Sequence, residues 1–341
     1  MAESSTSTAP GQQPVDPAAS IVPDEDPYAS SDPAFLTDSD AASSTQSLSS
    51  SVLNYQYENG RRYNAYREGE YMGPNDDKEQ DRMDLHHHIY RLLVDGALFR
   101  APIDLRTARI LDLGTGTGIW PMEIADDYPG ATIIGTDLSP IQPGWVPPNC
   151  YFELNDFESP WEFSKPFDFI HGRTLAGSVR DFPQLFERTL ENLNPGGWAE
   201  FVDFICQAWS DDDSLKKAPN VVKWIKLLNE ASDRFGKSMN VALRYKQWMI
   251  DAGFKDVREE AYKVPLNPWA KNPKLKEIGR FQQVNMLEGQ ETFTLALFTR
   301  VLGWSAEEVT VFLADVRKEL VDRSIHIYGK FFFVYGQKQG E

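Results

Sequence analysis

Ile110-Leu111-Asp112-Leu113 is a short apolar run that breaks into Gly114-Thr115-Gly116-Thr117-Gly118, and the pattern turns helical through Met122, Ile124 and Ala125. A buried parallel strand that feeds a helix through a glycine-rich loop has this form, and nucleotide-like cofactors sit over such loops. Glycine is required because a Cβ would hold the ligand off the backbone or forbid the tight turn. No other segment constrains the fold as tightly.

The spacing narrows the cofactor. A dinucleotide fingerprint reads G-x-G-x-x-G, and its amides cradle a pyrophosphate. Here the glycines fall at every second position, with Asp112 two residues before the first. This resembles the first motif of class I S-adenosylmethionine-dependent methyltransferases. The resemblance implies that Gly114, Gly116 and Gly118 lie under the amino-acid and ribose parts of a phosphate-free cofactor.

The flanking pattern agrees. Ala131-Thr132-Ile133-Ile134-Gly135-Thr136-Asp137-Leu138 is a β-branched strand closing on a carboxylate. Asp137 can accept both ribose hydroxyls, with Leu138 beside it, or it can cap the next helix; the glycine loop favours the first. A third strand, Cys150–Leu154, closes on Asn155-Asp156-Phe157-Glu158. Asp156 and Phe157 match the acidic-then-apolar pair that holds and packs adenine in the class I family, although a solvated acidic turn reads the same way. A fourth strand, Phe167–His171, precedes an amphipathic helix carrying Phe182, Leu185, Phe186, Leu190 and Leu193, which should end at Asn194-Pro195-Gly196-Gly197. A fifth strand follows over Trp198–Phe204. Alternation of this kind implies a doubly wound parallel sheet whose ligand lies at the carboxyl ends of the strands.

Longer motifs refine the resemblance. They are Tyr57-Glu58-Asn59-Gly60-Arg61-Arg62-Tyr63-Asn64-Ala65-Tyr66, Leu138-Ser139-Pro140-Ile141-Gln142-Pro143, Asp156-Phe157-Glu158-Ser159-Pro160-Trp161 and Leu266-Asn267-Pro268-Trp269. Together they resemble the fungal LaeA-type methyltransferase family over roughly residues 54–338. The resemblance implies an α/β fold, a doubly wound Rossmann-like seven-stranded methyltransferase sheet with its last strand antiparallel, an N-terminal helical segment and a C-terminal helical insertion over the acceptor site. It also implies one of two roles. One is a tailoring or orphan methyltransferase of secondary metabolism acting on a small molecule. The other is a nuclear regulator that works with velvet-type proteins. A nicotinamide oxidoreductase shares the architecture but needs the other glycine spacing, and no Tyr-x-x-x-Lys pair of the short-chain kind is present.

Four segments are expected: an acidic Ser/Thr/Pro-rich tail over 1–53, a helical lid over 54–105, the cofactor-binding core over 106–205, and C-terminal helices with the last two strands over 206–341. The first fifty residues hold eight acidic side chains and no Lys or Arg, a mixture that cannot offset chain entropy by burial and therefore reads as disordered. Thirty-four basic residues against 51 acidic ones give a net charge of −17, which argues against a nucleic-acid substrate. Two cysteines make no disulfide framework. No apolar stretch reaches membrane-spanning length and no signal-peptide pattern opens the chain, so no membrane partner and an intracellular setting, cytoplasm or nucleus, are expected.

Within the lid, a helix is expected from Asp81 to Phe99. Its His86-His87-His88 run points in three directions from a helix, so no metal site is expected. Tyr63 and Tyr66, with Tyr71, are candidate aromatic cover for a sulfonium cation, or else simply dock the segment. His171, at a strand end, is the candidate general base.

Overall fold

The computed structural model describes residues 19–24 and 55–340. The strands are β1 (Gln56–Glu58), β2 (Arg61–Tyr63), β3 (Arg109–Leu113), β4 (Thr132–Asp137), β5 (Cys150–Leu154), β6 (Phe167–Arg173), β7 (Leu193–Phe204), β8 (Lys255–Pro265) and β9 (Tyr328–Gln337). The helices are α1 (Asp77–Leu93), α2 (Ile119–Asp127), α3 (Phe182–Glu191), α4 (Pro219–Phe235), α5 (Ala242–Ala252), α6 (Pro273–Leu297) and α7 (Ala306–Val321).

Seven strands form one sheet in the order β5-β4-β3-β6-β7-β9-β8. The pairs from β5 through β7 are parallel, and β9 runs antiparallel between β7 and β8. This is the expected doubly wound Rossmann-like sheet with a reversed last strand. Alternate side chains of each strand feed opposite faces. Leu111, Ile170, Phe201 and Phe332 pack with Phe182 and Phe186 of α3 and Tyr245 of α5. On the other face Ile110, Ile133 and Phe169 meet Trp120 and Ile124 of α2, while Val202 and Phe333 meet Ile89 and Leu93 of α1. α4, α6 and α7 form a further helical layer around Trp224, Phe298 and Val316.

Several boundaries differ from the sequence reading for identifiable reasons. α3 stops at Glu191, and Asn194–Gly197 belong to β7, where a register shift opposite Phe167 absorbs the turn-like residues. Among the expected C-terminal helices, α6 runs unbroken over 25 residues and passes into a π-turn over Phe298–Leu302. Pro219 restarts the chain as α4 after a separate 3₁₀ turn over Asp213–Lys217. α1 begins at Asp77, earlier than expected, because Asp76 caps it by accepting the Glu79 amide at 3.1 Å.

The segment expected as a helical lid also contains a hairpin. β1 and β2 pair antiparallel across Asn59-Gly60, whose φ values of 50° and 75° are those of a type I′ turn. Of the stretch expected to be a disordered tail, residues 19–24 alone are described, and they are docked. Pro23 bridges to Ala270, Ile21 N donates to Asp211 Oδ2 at 3.0 Å, and Ile21 itself is buried. The rest of 1–53 lies outside the described residues.

Candidate functional site

The carboxyl ends of β3, β4 and β6 converge under α1, and a cavity opens between them. Its lining includes Asp112, Gly114, Thr115, Gly116, Asp137, Leu138, Asp156, Phe157 and His171. Eight of the expected cofactor and catalytic positions share this small space or its wall with Thr115. Three expected positions do not line it. Gly118 caps α2 at φ 82°, and a Cβ there would overlap the Phe152 ring, so this glycine serves strand–helix packing. Tyr63 and Tyr66 lie outside: Tyr63 is buried under the Arg300 guanidinium, 4.8 Å over its ring, and Arg67 lies 5.8 Å over the Tyr66 ring. Tyr71, from the same segment, does line the cavity.

The loop geometry follows from its sequence. Gly114 and Gly116 take φ of 64° and 59°, in the left-handed region that disfavours a side chain. Thr115 N donates to Thr136 O at 2.9 Å, and Thr115 Oγ1 donates to Asp112 Oδ2 at 2.6 Å. Asp112 Oδ1 is 2.7 Å from His171 Nδ1, across the β3–β6 register that pairs the two residues. The His171 ring stacks on Trp120 with 3.8 Å between centroids, and burial lowers its pKa. Asp137 accepts from Gly116 N and Ser139 N, each at 2.8 Å. Burial pushes its carboxyl up to about 6. Asp156 accepts from Glu158 N and Ser159 Oγ, each at 2.9 Å.

α1 supplies the wall that sequence reasoning missed: Arg82, Met83, His86, His87 and Tyr90 all line the cavity. The signal was present in the spacing of Glu79, Arg82, His86 and Tyr90 along one helical face, but polar residues at that spacing read equally as a solvated face. Here they are buried. Glu79 accepts from Arg82 Nη2 at 2.7 Å and from Thr292 Oγ1 at 2.7 Å, and Arg82 Nη1 reaches Asn285 Oδ1 at 2.7 Å. Arg61 of β2 closes the network on Asp76 at 2.6 Å. The three histidines diverge, His86 toward Phe331, His87 toward Glu123 and His88 toward Phe281. Among the described residues no metal-binding cluster forms.

The donor set fits an adenosyl sulfonium. Carboxylates flank the loop, and the cations on the wall are already engaged. Arg82 is held by Glu79, Lys237 by Glu158 at 2.8 Å, and Arg173 Nη2 lies 2.9 Å from His87 Nδ1. Arg82 and Lys237 thus have their charge matched by a carboxylate, while Arg173 has the neutral His87 ring beside it.

Comparison with known proteins agrees. The methyltransferase domain family matches residues 85–259. Methyltransferase pytC of Aspergillus terreus is 43% identical over 300 residues, covering 88% of this chain and 93% of that protein. Secondary metabolism regulator LAE1 of Cochliobolus heterostrophus is 39% identical over 278 residues, covering 80% and 91%. Among solved structures, phosphoethanolamine N-methyltransferase 2 of Haemonchus contortus in complex with S-adenosyl-L-methionine matches at 17% identity and a TM-score of 0.42, covering 76% of this chain. The chain spans about half of that structure's length, at 52%. No helix among the described residues is long and apolar enough to cross a membrane. The chain belongs to the fungal LaeA-type family of class I methyltransferases, and it is an S-adenosylmethionine-dependent methyltransferase.

Proposed function

We propose that this methyltransferase acts on a small-molecule acceptor in secondary metabolism, inside the cell, and that its site residues divide the work as follows. Asp137 accepts the ribose hydroxyls. Asp156 accepts from the adenine amino group while Phe157 packs the ring. The backbone of Gly114–Gly116, free of Cβ atoms, lets the amino-acid end lie close. When bound, the cofactor supplies an already activated methyl group whose leaving thioether is neutral. What the chain contributes is alignment and exclusion of water.

His171 suits a positioning role better than that of a base. Its Nδ1 faces Asp112, its ring is clamped on Trp120, and Asp112 in turn holds Thr115 of the loop. The observation that carries the functional reading is the placement of the Asp112 and Asp137 carboxylates on either side of the glycine loop, each bonded to it. Calorimetry with S-adenosylhomocysteine and with NAD tests it: the first should bind and the second should not, and the reverse result would end the reading.

The 39% identity to a protein named as a secondary metabolism regulator supports a second reading, a regulatory subunit that keeps the cofactor site and works with velvet-type proteins in the nucleus. The longer and closer match to pytC favours the tailoring enzyme. Metabolite profiles of a deletion strain separate the two: loss of one compound fits the enzyme, loss of many the regulator.

A further inference from the structure

A second chamber lies beside the cofactor cavity, at the carboxyl end of β7 and under α4 and α6. Phe204, Trp224, Leu228, Met286, Phe293 and Phe331 form much of its wall. None of the residues lining it is Asp, Glu, Lys or Arg. It therefore offers no counter-charge to an ionic ligand, and a charged acceptor would be stranded there. Its aromatic faces suit a flat apolar molecule. Met239 and Met286 can reshape the wall around different ring systems.

His86 lines both this chamber and the cofactor cavity. Its ring lies 4.7 Å from Tyr90, 5.7 Å from Phe331 and 6.1 Å from Phe204, centroid to centroid. The residue is 5% exposed, yet Nε2 has no hydrogen-bond partner among the described residues. A buried polar atom left unpaired is costly, and its retention calls for a partner that the protein alone does not supply.

We propose that the chamber is the acceptor site, that it takes a neutral hydroxylated aromatic small molecule, and that Nε2 of His86 receives the acceptor hydroxyl's hydrogen bond and then its proton. This rests on the methyl-transfer reading above. The acceptor oxygen forms the new O–C bond as the S–C bond breaks, and the electron pair of that bond stays on sulfur. The hydroxyl proton leaves to Nε2 and from there to solvent, so charge balances without a further reactant. Burial, with Arg82, Arg173 and His87 nearby, lowers the His86 pKa well below its ordinary value, so the imidazole is neutral and accepts the hydrogen bond, and it relays the departing proton rather than holding it.

The test uses the full chain saturated with S-adenosylhomocysteine and two probes of like shape, 2-naphthol and naphthalene, titrated by fluorescence. Wild type should bind 2-naphthol about tenfold tighter than naphthalene, the discrimination expected of one buried hydrogen bond. His86→Phe should bring that ratio to about one, because no acceptor then faces the hydroxyl. Met286→Trp should fill the chamber and abolish binding of both probes while S-adenosylhomocysteine affinity stays unchanged. Equal affinity of wild type for the two probes, an unaltered ratio in His86→Phe, or full probe binding by Met286→Trp would each overturn the proposal. Failure of wild type to take up S-adenosylhomocysteine would instead overturn the methyl-transfer reading, so the two failures are separable.

Discussion

Replacing Asp137 by Asn should separate what this carboxylate does for the fold from what it does for the ligand. Burial raises its pKa from 3.8 to about 6, against the pull of the Gly116 and Ser139 amides that donate to it. The difference corresponds to about 3 kcal/mol at roughly 1.4 kcal/mol for each tenfold change. Because the folded-state pKa lies above the unfolded one, the native state holds the extra proton. The associated stability is complete below 3.8 and is lost as pH rises through about 6.

Asn does not titrate, so this loss disappears in the variant. Its amide nitrogen cannot accept from both backbone donors, which adds a pH-independent cost of about 1–3 kcal/mol. Urea unfolding of both proteins without ligand, at about pH 4 and about pH 7.5, should therefore show the variant gaining about 2.5 kcal/mol on wild type across that interval. In the same pair, S-adenosylhomocysteine affinity should fall about 10- to 100-fold in the variant, the range for losing a hydrogen bond to a charged acceptor. Wild-type affinity should itself weaken below pH 6 as the carboxyl takes up its proton. Parallel stability curves, or an unchanged ligand affinity, would refute the reasoning.

Three further outcomes are expected. Gly116→Ala should cost about 1 kcal/mol of stability for its left-handed backbone but markedly weaken S-adenosylhomocysteine binding, while Gly118→Ala, whose Cβ would meet Phe152, should lower the melting temperature more and the affinity less. Thermal melts and calorimetry on the pair check this. Tyr71→Leu should weaken cofactor binding and Tyr63→Leu should leave it intact, since the first lines the cavity and the second lies under Arg300; calorimetry decides. Lys237 Nζ donates to Glu70 O at 2.7 Å and Glu158 Oε2 at 2.8 Å, tying the segment before α1 to the rim of the cavity. Lys237→Met should cost about 1–2 kcal/mol, because the Glu158 carboxylate still reaches water, and should speed ligand dissociation several-fold in a stopped-flow chase.

The strand–loop–helix core was legible because β3, β4 and β6 are buried on both faces, so their apolar runs and terminal carboxylates stand out without any partner in view. Asp112, Asp137, Asp156, Phe157 and His171 reach the cavity for that reason. What stayed hidden depended on tertiary context. The polar face of α1 carries Glu79, Arg82 and His86, and nothing in their spacing distinguishes a face buried against α6 from one facing water. Asn59-Gly60 is a hairpin signal, yet the short strands beside it are too polar to read as strands. Tyr63, Tyr66 and Tyr71 were indistinguishable in sequence, and only the path of the chain puts Tyr71 at the cavity. The acidic composition of the first fifty residues gave no sign that Ile21 would pack against the fold.

The buried link from Arg61 through Asp76, Glu79, Thr292 and Arg82 to Asn285 joins β2, α1 and α6 into a single lever. The ties from α6 are hydrogen bonds, from Thr292 to the Glu79 carboxylate and from Arg82 to Asn285 Oδ1, each worth about 1.5–3 kcal/mol, so swinging α6 away from α1 is costly. Any opening wide enough to admit a guest beneath α6 must also loosen the wall over the glycine loop. The two compartments therefore share one support, the stretch of α1 whose His86 faces both.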